Sequence, residues 1–287
     1  MADKNNHQDN RGIWKLIFLF SSLGLVLCLG ICGWYGWQVW QADRAYQKAQ
    51  EDMVVNSSSA KDRTADSAAG SSEFDGQRDG EAARLPEGIF LDLKNPIDFK
   101  KLAEINPELY AWIRIPDTNI DYPVAQRLVP GEDNFYLDHD LYGEWRFAGC
   151  IYTEACNSRD FTDPNTVLYG HNMKNGSMFQ NLHKFEDPEF FEKHEYFYIY
   201  TAKKVLIYRV FAAYTSDDSH IMGSYHFDDK EVFGHYLGSI LQGRSMDARI
   251  RQEVTLTDQD RIVTLSTCSA GEPKHRYIVQ GVLYEGS

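Results

Sequence analysis

The clearest feature of the hydrophobic pattern is a run of 27 residues without a charge, from Leu16 to Ala42. As an α-helix this run extends ~40 Å, whereas the hydrocarbon core of a bilayer is ~30 Å thick. Aromatic residues gather at its C-terminal end, where amphipathic rings favour the headgroup boundary: Trp34, Tyr35, Trp37 and Trp40. The pattern predicts a transmembrane helix over residues 16–42, preceded by a tail of residues 1–15.

A cleaved signal peptide is the alternative interpretation of this run. Its apolar region would have only ~7–15 residues and would end in small residues at the cleavage site. The run here is longer and ends in tryptophans, which favours an uncleaved signal anchor. Lys4, Arg11 and Lys15 precede it and Arg44 and Lys48 follow it, a weak bias toward a cytoplasmic N-terminus.

The hydrophobic pattern disappears after the predicted anchor. Residues from about Glu51 to Ala83 are rich in Ser, Ala, Asp and Gly. Such a segment cannot bury enough apolar surface to offset its ordering entropy. We therefore expect residues 43–84 to form a flexible extracytoplasmic linker. About 30 flexible residues have an r.m.s. span of roughly 30 Å.

The pattern resumes over residues 85–287, a length that allows one substantial core. Runs of β-branched and aromatic residues predict strands at 109–115, 119–124, 148–154, 165–170, 196–201, 205–215, 261–268 and 276–284. Helices are predicted at 97–105, 177–185 and 188–194, with a longer amphipathic helix over 228–243. The predicted fold class is mainly β, a small closed or nearly closed barrel with helical insertions.

Composition narrows the classes of function. The chain has 29 Lys and Arg against 42 Asp and Glu, a net charge of −13. Binding a phosphate backbone needs a basic face, so no nucleic-acid partner is expected. Five cysteines are too few for a disulfide scaffold, and no Cys/His spacing matches a zinc motif, so we expect no metal and no cofactor. Cys150 and Cys156 form a disulfide or stay unpaired, since the sequence gives no Cα separation.

Three residues together suggest nucleophilic chemistry. Cys268 ends a predicted strand beside a loop, where a side chain is accessible on a fixed backbone. His171 follows another strand, and an imidazolium beside a thiol raises its thiolate fraction and later protonates a leaving amine. Arg276 opens the last strand, and a hairpin return would place its guanidinium near a developing oxyanion beside Cys268. Each residue alone has a structural explanation, so the inference depends on the three meeting.

Two segments, YGHNMKNGSMFQNL and TLSTCSAGEPKHRYIV, resemble those of sortases, specifically class B sortases. The resemblance covers the chain from about Leu85 onward and the N-terminal anchor. It implies a closed β-barrel of about eight strands, with N-terminal helices and an inserted helix before the catalytic strand. Ser269 and Ala270 follow the cysteine where some relatives carry an acid, so a third, triad-like carboxylate is not supported.

The resemblance implies a cysteine transpeptidase in the cell membrane of a Gram-positive bacterium, with its catalytic domain extracellular. Cys268 would attack the Thr carbonyl of a sorting motif near the C-terminus of an exported protein. His171 would protonate the leaving amine, and Arg276 would hold the oxyanion. The acyl group would pass to an amine of a peptidoglycan precursor or to a pilin lysine. The motif also implies groove residues, which are Ser266 and Thr267 and, more weakly, Tyr225, Asn134 and Leu137.

Other functions fit parts of the pattern. A papain-like hydrolytic peptidase places its Cys before its His, the reverse of the order here. An L,D-transpeptidase would show His-Gly-x-x and Ser-x-Gly-Cys patterns, which are absent. A membrane-anchored, non-catalytic binding domain with a structural Cys268 is the third alternative. Labelling by a methanethiosulfonate separates it from an enzyme, because a buried structural thiol resists the reagent.

Overall fold

The computed structural model describes residues 6–53, 95–243, 245–269 and 272–286. The helices in these ranges are α1 (Asn6–Met53), α2 (Phe99–Ile105), α3 (Pro188–Lys193), α4 (Ile221–Ser224) and α5 (Lys230–Leu241). The strands are β1 (Leu109–Arg114), β2 (Asp121–Gln126), β3 (Ile151–Thr153), β4 (Asn165–Tyr169), β5 (Tyr196–Thr201), β6 (Val205–Asp217), β7 (Arg249–Ile250), β8 (Ile262–Ser269) and β9 (Glu272–Gly286). Two 3-10 helices span Phe135–Leu137 and Phe179–Glu186.

Eight of these strands close into a barrel. Neighbouring strands follow the order β5, β1, β2, β3, β4, β8, β9, β6, and β5 also pairs with β6. The two-residue strand β7 is not part of the barrel. It pairs with β6 at Ala212 and Ala213, beyond the residues of β6 that pair with β5. The pairs β2–β3 and β4–β8 are parallel, and the other pairs are antiparallel. The expected closed barrel of about eight strands is confirmed.

Strand β8 separates two apolar cores. Val263 and Leu265 point into the barrel, as the alternation in the sequence predicts. Ile262 faces outward and packs in a second core with Phe233 and Tyr236 of α5. Asp229 caps α5 by accepting hydrogen bonds from two backbone N–H groups of its first turn. Since side chains alternate along a strand, Cys268 lies on the outer face, the face that the inserted helix α5 covers.

A buried hydrogen-bond network ties α5 to the strands that carry the candidate site. The Gln280 side-chain amide donates to the hydroxyls of Thr264 (2.8 Å) and Tyr236 (2.9 Å). The Thr264 hydroxyl in turn donates to Asn165 on β4 (2.8 Å). Hydrogen bonds in a buried position favour one arrangement of the elements they join. The network therefore fixes β4, β8, β9 and α5 relative to one another.

Helix α1 differs from the sequence expectation at its C-terminal end. Among the described residues it is the one helix long and apolar enough to cross a membrane. It continues unbroken to Met53, however, and buries Ala42, Tyr46, Ala49 and Met53 against the barrel. These four residues form a single helical stripe that is too sparse, among polar neighbours, to stand out in the sequence. The predicted start of the linker at residue 43 is therefore wrong, since residues 43–53 are helical.

The rest of the expected linker, residues 54–84, and the expected start of the domain at residue 85 lie outside the described residues. Met53 and Asp98, on either side of these residues, are adjacent in the structure. The Asp98 N–H donates to the Met53 carbonyl (3.0 Å). Polar bonds also hold α1 to the barrel, from Tyr46 to the Gly149 carbonyl (2.5 Å) and from Gln50 to the Asp121 carbonyl (2.6 Å). The docked helix, rather than the length of residues 54–94, sets the distance between the apolar run and the barrel.

Replacing Tyr46 by Ala tests this docking. The ring is buried, meets Tyr122 edge-on and donates a hydrogen bond, so Tyr46→Ala should lower the free energy of unfolding by about 3 kcal/mol. For a domain of this size that is a fall in Tm of about 6–12 °C. Thermal unfolding of the full chain in detergent is the measurement, with exposed Leu25→Ala as the control. An unchanged Tm would contradict docking of α1.

Candidate active site

The hairpin of β8 and β9 brings Cys268 and Arg276 together. Cys268 lies near the C-terminal end of β8, and its Cα pairs directly with that of Arg276 on β9. Directly opposed residues of an antiparallel pair project from the same face of the sheet. The register shifts immediately after Cys268, so regular pairing ends at the thiol. The hairpin return that the sequence predicts is present.

His171 reaches the same place through the parallel pairing of β4 with β8. The last pair in register is Tyr169 with Ser266, and the Gly170 N–H donates to the Ser266 carbonyl (3.1 Å). Two further residues along both chains bring His171 level with Cys268, on strands that lie ~4.8 Å apart. The intervening Gly170 cannot carry a side chain, because a Cβ there would lie 2.5 Å from Ile151 and 2.8 Å from the Phe179 ring.

One cavity of about 330 Å³ is lined by His171, Cys268 and Arg276. Four of the five predicted groove residues line it too, namely Ser266, Thr267, Asn134 and Leu137. Tyr225 does not, which contradicts the expectation for that residue. Its ring stacks on Phe227 (5.6 Å between centroids) and meets Tyr236 edge-on (4.8 Å), so it belongs to the α5 core. His220 and Ile221, a few residues earlier, reach the cavity instead.

The environment of His171 favours the neutral imidazole. Burial lowers the pKa of His171 from its ordinary value of 6.5, while the Leu137 carbonyl and the Asp138 charge oppose this shift. Nε2 lies 2.8 Å from the Leu137 carbonyl oxygen, which only accepts, so Nε2 carries the proton and Nδ1 is the acceptor of the neutral ring. The Phe147 ring stacks on the imidazole (5.7 Å, interplanar angle 9°) and holds its plane. Near pH 7 the ring is therefore ready to accept a proton, which differs from the imidazolium expected from the sequence.

Two buried hydroxyls lack partners within the described part of the chain, those of Tyr169 and Thr267. Tyr169 lines the cavity, whereas strand alternation turns the Thr267 side chain into the barrel with Val263 and Leu265. Nearly all buried polar groups in proteins are hydrogen-bonded, so such atoms mark places where a ligand can bond. Burial also raises the pKa of Tyr169 above its ordinary value, which keeps the phenol protonated and able to donate. The cavity thus offers the Tyr169 hydroxyl to the peptide groups of an extended ligand.

Sequence reasoning missed several residues of the cavity wall. Tyr152 donates to Asn134 Oδ1 (3.4 Å), and Glu154 lies 2.6 Å from Nε2 of His220. Strand alternation carried a signal for Tyr169, because it lies two residues before His171 on the same strand end. Nothing local marks Tyr152, Glu154 or His220, which reach the cavity only through the closure of the barrel.

The backbone of the candidate nucleophile is held by side chains that the sequence analysis left without a role. Asn172 Nδ2 donates to the Cys268 carbonyl (2.8 Å), and His183 Nε2 lies 3.1 Å from the same oxygen. His183 Nδ1 lies 2.6 Å from Glu186 Oε1, and its ring stacks on Tyr277. These groups contact the carbonyl of Cys268, so we expect them to orient the backbone of the candidate nucleophile.

The other two thiols of the barrel are free and do not form a disulfide. Cys150 is buried, and burial raises its pKa to about 12. Partial burial and the charge of Glu154 raise the pKa of the Cys156 thiol to about 11. Both therefore stay protonated at neutral pH and make poor nucleophiles.

Comparison with known proteins agrees with this geometry. The Sortase domain family model matches residues 113–284. Sortase B of Listeria monocytogenes is 32% identical over 188 residues, which cover 65% of this chain and 74% of that protein. A crystal structure of Clostridium perfringens sortase B has a TM-score of 0.59 at 31% identity and covers 66% of this chain and 100% of that one. A Staphylococcus aureus sortase B–substrate complex has a TM-score of 0.57 at 28% identity, covering 65% of this chain and 84% of that one.

The matched region runs from the end of β1 into β9, which is most of the barrel, and contains all three candidate catalytic residues. The chain therefore belongs to the sortase family, whose members are cysteine transpeptidases. The relatives named above are sortase B proteins, so the resemblance to class B is confirmed. The papain-like and L,D-transpeptidase alternatives are excluded by this membership.

We predict that the negative charge of Asp138 raises the pKa of His171. Replacing Asp138 by Asn removes a negative charge that favours the imidazolium, so the pKa of His171 should fall further below its ordinary value. The shift is measured by NMR titration of the His171 Cε1–H signal, with exposed Asp258→Asn as the control. An increased pKa would contradict the assigned electrostatics.

Asn172 is predicted to position the nucleophile. Asn172→Ala removes a donor to the Cys268 carbonyl, and we expect kcat to fall about tenfold with little change in KM. Asn175→Ala is the matched control, because this amide lies on the same loop but donates to Asp43 on α1. Steady-state kinetics with a cleavable peptide and the Tm of each variant are measured together. Equal kcat values for the two variants would exclude the positioning role.

Proposed function

We propose that this protein is a single-pass membrane sortase that cleaves a sorting motif after its Thr and transfers the acyl group to an amine. The catalytic domain is extracellular, and α1 is the anchor. The donors are exported proteins with a C-terminal sorting motif. The acceptor is an amine of a peptidoglycan precursor or a pilin lysine. The observation that carries the proposal is the strand pairing that sets Cys268 opposite Arg276 and level with His171 around one cavity.

In the first half-reaction, the sulfur of Cys268 attacks the Thr carbonyl carbon and the thiol proton passes to Nδ1 of His171. The carbonyl electron pair moves to oxygen, and the Arg276 guanidinium donates to the oxyanion. When the tetrahedral intermediate collapses, the C–N bond breaks and His171 returns its proton to the leaving amine. The product is a thioester on Cys268. A neutral His171 in the resting protein suits its first role as proton acceptor.

In the second half-reaction, the acceptor amine attacks the thioester carbonyl. His171 takes the proton from the amine as the new C–N bond forms, and the sulfur leaves as a thiolate. The thiolate is then reprotonated by His171, and the site returns to its starting state. Transfer dominates over hydrolysis only where water is kept from the thioester, which the wall formed by Leu137, Ile221 and Tyr169 favours.

The cavity wall supports binding of an extended peptide. Ser266 and Tyr169 bring hydroxyl groups to the cavity that Cys268 lines, and Thr267, Asn134 and Leu137 form other parts of its wall. Both NPxTN-like and SPxTG-like motifs are candidates for this groove. A screen of quenched-fluorescent peptides that vary the first and last motif positions decides between them, with and without an amine acceptor.

Turnover of the matching peptide by the full chain in detergent tests the proposal. Cys268→Ala and His171→Ala should each abolish cleavage and transfer, and Arg276→Ala should lower kcat/KM by about 100-fold or more. Cys156→Ala is the matched control and should retain turnover. The wild-type protein should also lose activity on treatment with a methanethiosulfonate.

Retained turnover in Cys268→Ala would refute the mechanism. Cleavage by the wild-type protein without transfer to any amine would instead support a membrane-anchored hydrolytic peptidase. If all three variants bind the peptide as the wild-type protein does, and the protein resists the methanethiosulfonate, the non-catalytic binding domain would be supported.

A further inference from the structure

Three large aromatic side chains lie close together on the surface of the loop that follows the 3-10 helix Phe135–Leu137. Tyr142, Trp145 and Phe147 are 44%, 45% and 48% exposed. Three half-exposed rings within six residues form an apolar surface of the kind that marks an interaction site. None of the three belongs to the catalytic machinery proposed above, although Phe147 supports the His171 ring.

These rings meet the end of the apolar run on α1. Trp145 stacks on Trp34 with 6.1 Å between the ring centroids, and Phe147 meets Tyr35 edge-on at 5.8 Å. Trp37 and Trp40 continue the aromatic side of α1 and are 49% and 50% exposed. We call this surface the aromatic collar, defined as Trp34, Tyr35, Trp37, Trp40, Tyr142, Trp145 and Phe147.

The position of the collar along α1 relates it to the height of a bilayer. If the apolar core begins at Leu16, ~20 residues of helix cross the ~30 Å of hydrocarbon and end near Tyr35. The headgroup layer beyond is ~5–7 Å thick. Trp145 is stacked on Trp34 and therefore lies at the boundary between the hydrocarbon and that layer. Arg44, whose guanidinium covers the Trp40 ring at 4.3 Å, is ~15 Å further along the helix from Trp34.

We propose that the aromatic collar is a lipid-docking surface, and that Tyr142, Trp145 and Phe147 lie among the phospholipid headgroups beside α1. The proposal rests on the proposed function only in taking α1 as the membrane anchor. Tyr and Trp favour this layer because their rings are apolar and their polar groups remain hydrated. The surface is continuous with the spanning helix, which makes the bilayer the occupant that the geometry favours over a protein partner.

Docking of the collar places the active site at the membrane surface. Buried Tyr46 and Met53 fix the barrel on α1, so the domain does not move freely above the bilayer. The contacts Tyr35–Phe147 and Phe147–His171 connect the end of the apolar run to the candidate catalytic imidazole through a single ring. The cavity therefore receives peptides presented close to the headgroups, and substrates held in the same bilayer have the shortest approach.

Spin-label accessibility in phosphatidylcholine nanodiscs tests the docking without using enzyme activity. One label is placed through Glu144→Cys, between the collar rings, in a full chain whose accessible thiols are removed by Cys28→Ala, Cys32→Ala, Cys156→Ala and Cys268→Ala. The control label is placed through Lys203→Cys. Lys203 lies in the turn after Thr201, whose carbonyl accepts a hydrogen bond from Asn95. Asn95 is close to the Met53 end of α1, because Asp98 N–H donates to the Met53 carbonyl. Met53 is ~28 Å further along the helix than Trp34.

The label at position 144 should collide more with lipid-soluble oxygen than with a water-soluble nickel chelate, and the label at position 203 should show the reverse. Adding Trp145→Glu should move the label at 144 toward the values at 203, because a charge in the collar opposes its insertion. Equal accessibility at the two positions in the unaltered collar would overturn the proposal.

Turnover provides a second measurement. In nanodiscs, Trp145→Glu should leave cleavage of a soluble sorting peptide unchanged and lower cleavage of the same peptide attached to a lipid by at least about fivefold, since the confined orientation is lost. An equal effect on both peptides would contradict the docking. If no peptide is turned over by the wild-type protein, the proposed function fails, and the spin-label comparison still decides on the collar.

Discussion

The parallel pairing of β4 with β8 is the interaction on which the site depends. His171 and Cys268 are separated by almost a hundred residues, and no local element connects them. The pairing of five consecutive residues on each strand, from Asn165 with Ile262 to Tyr169 with Ser266, sets both strand ends at the same level. The adjacent hairpin then adds Arg276 opposite the thiol. Gly170 is part of the same constraint, because only a residue without Cβ fits between Ile151 and Phe179 where the chain leaves the sheet.

The charge state of the site follows from its partial burial. Lowering of the His171 pKa by burial gives a neutral imidazole near pH 7. In the proposed mechanism His171 both takes up and returns the proton, and Arg276 stabilises the oxyanion without exchanging a proton. The carbonyl of Cys268, held by Asn172 and near His183, keeps the thiol in place while the proton moves. The site thus relies on oriented backbone and side chains more than on a third carboxylate.

Helix α1 packs directly against the barrel that carries the candidate site. Its last three turns are part of the barrel packing, and its aromatic residues contact the loop that supports His171. A rigid connection limits the volume that the active site samples, which raises its effective concentration for reactants held in the same surface. With α1 as the proposed membrane anchor, this packing also orients the cavity relative to the bilayer.

The sequence by itself determined the apolar helix, most strands and the three candidate catalytic residues, because each depends on local periodicity or on a local motif. Strand β5 occupies the predicted residues 196–201, and the stripe of α5 packs as its spacing indicates. The tertiary structure alone decided that residues 43–53 dock on the barrel, that Tyr225 packs under α5 while His220 reaches the cavity, and that His183 lies against the Cys268 carbonyl. Periodicity reveals which face of an element is apolar. It contains no information on which distant face that element meets, since closure of the barrel and the register of its strands select the partner.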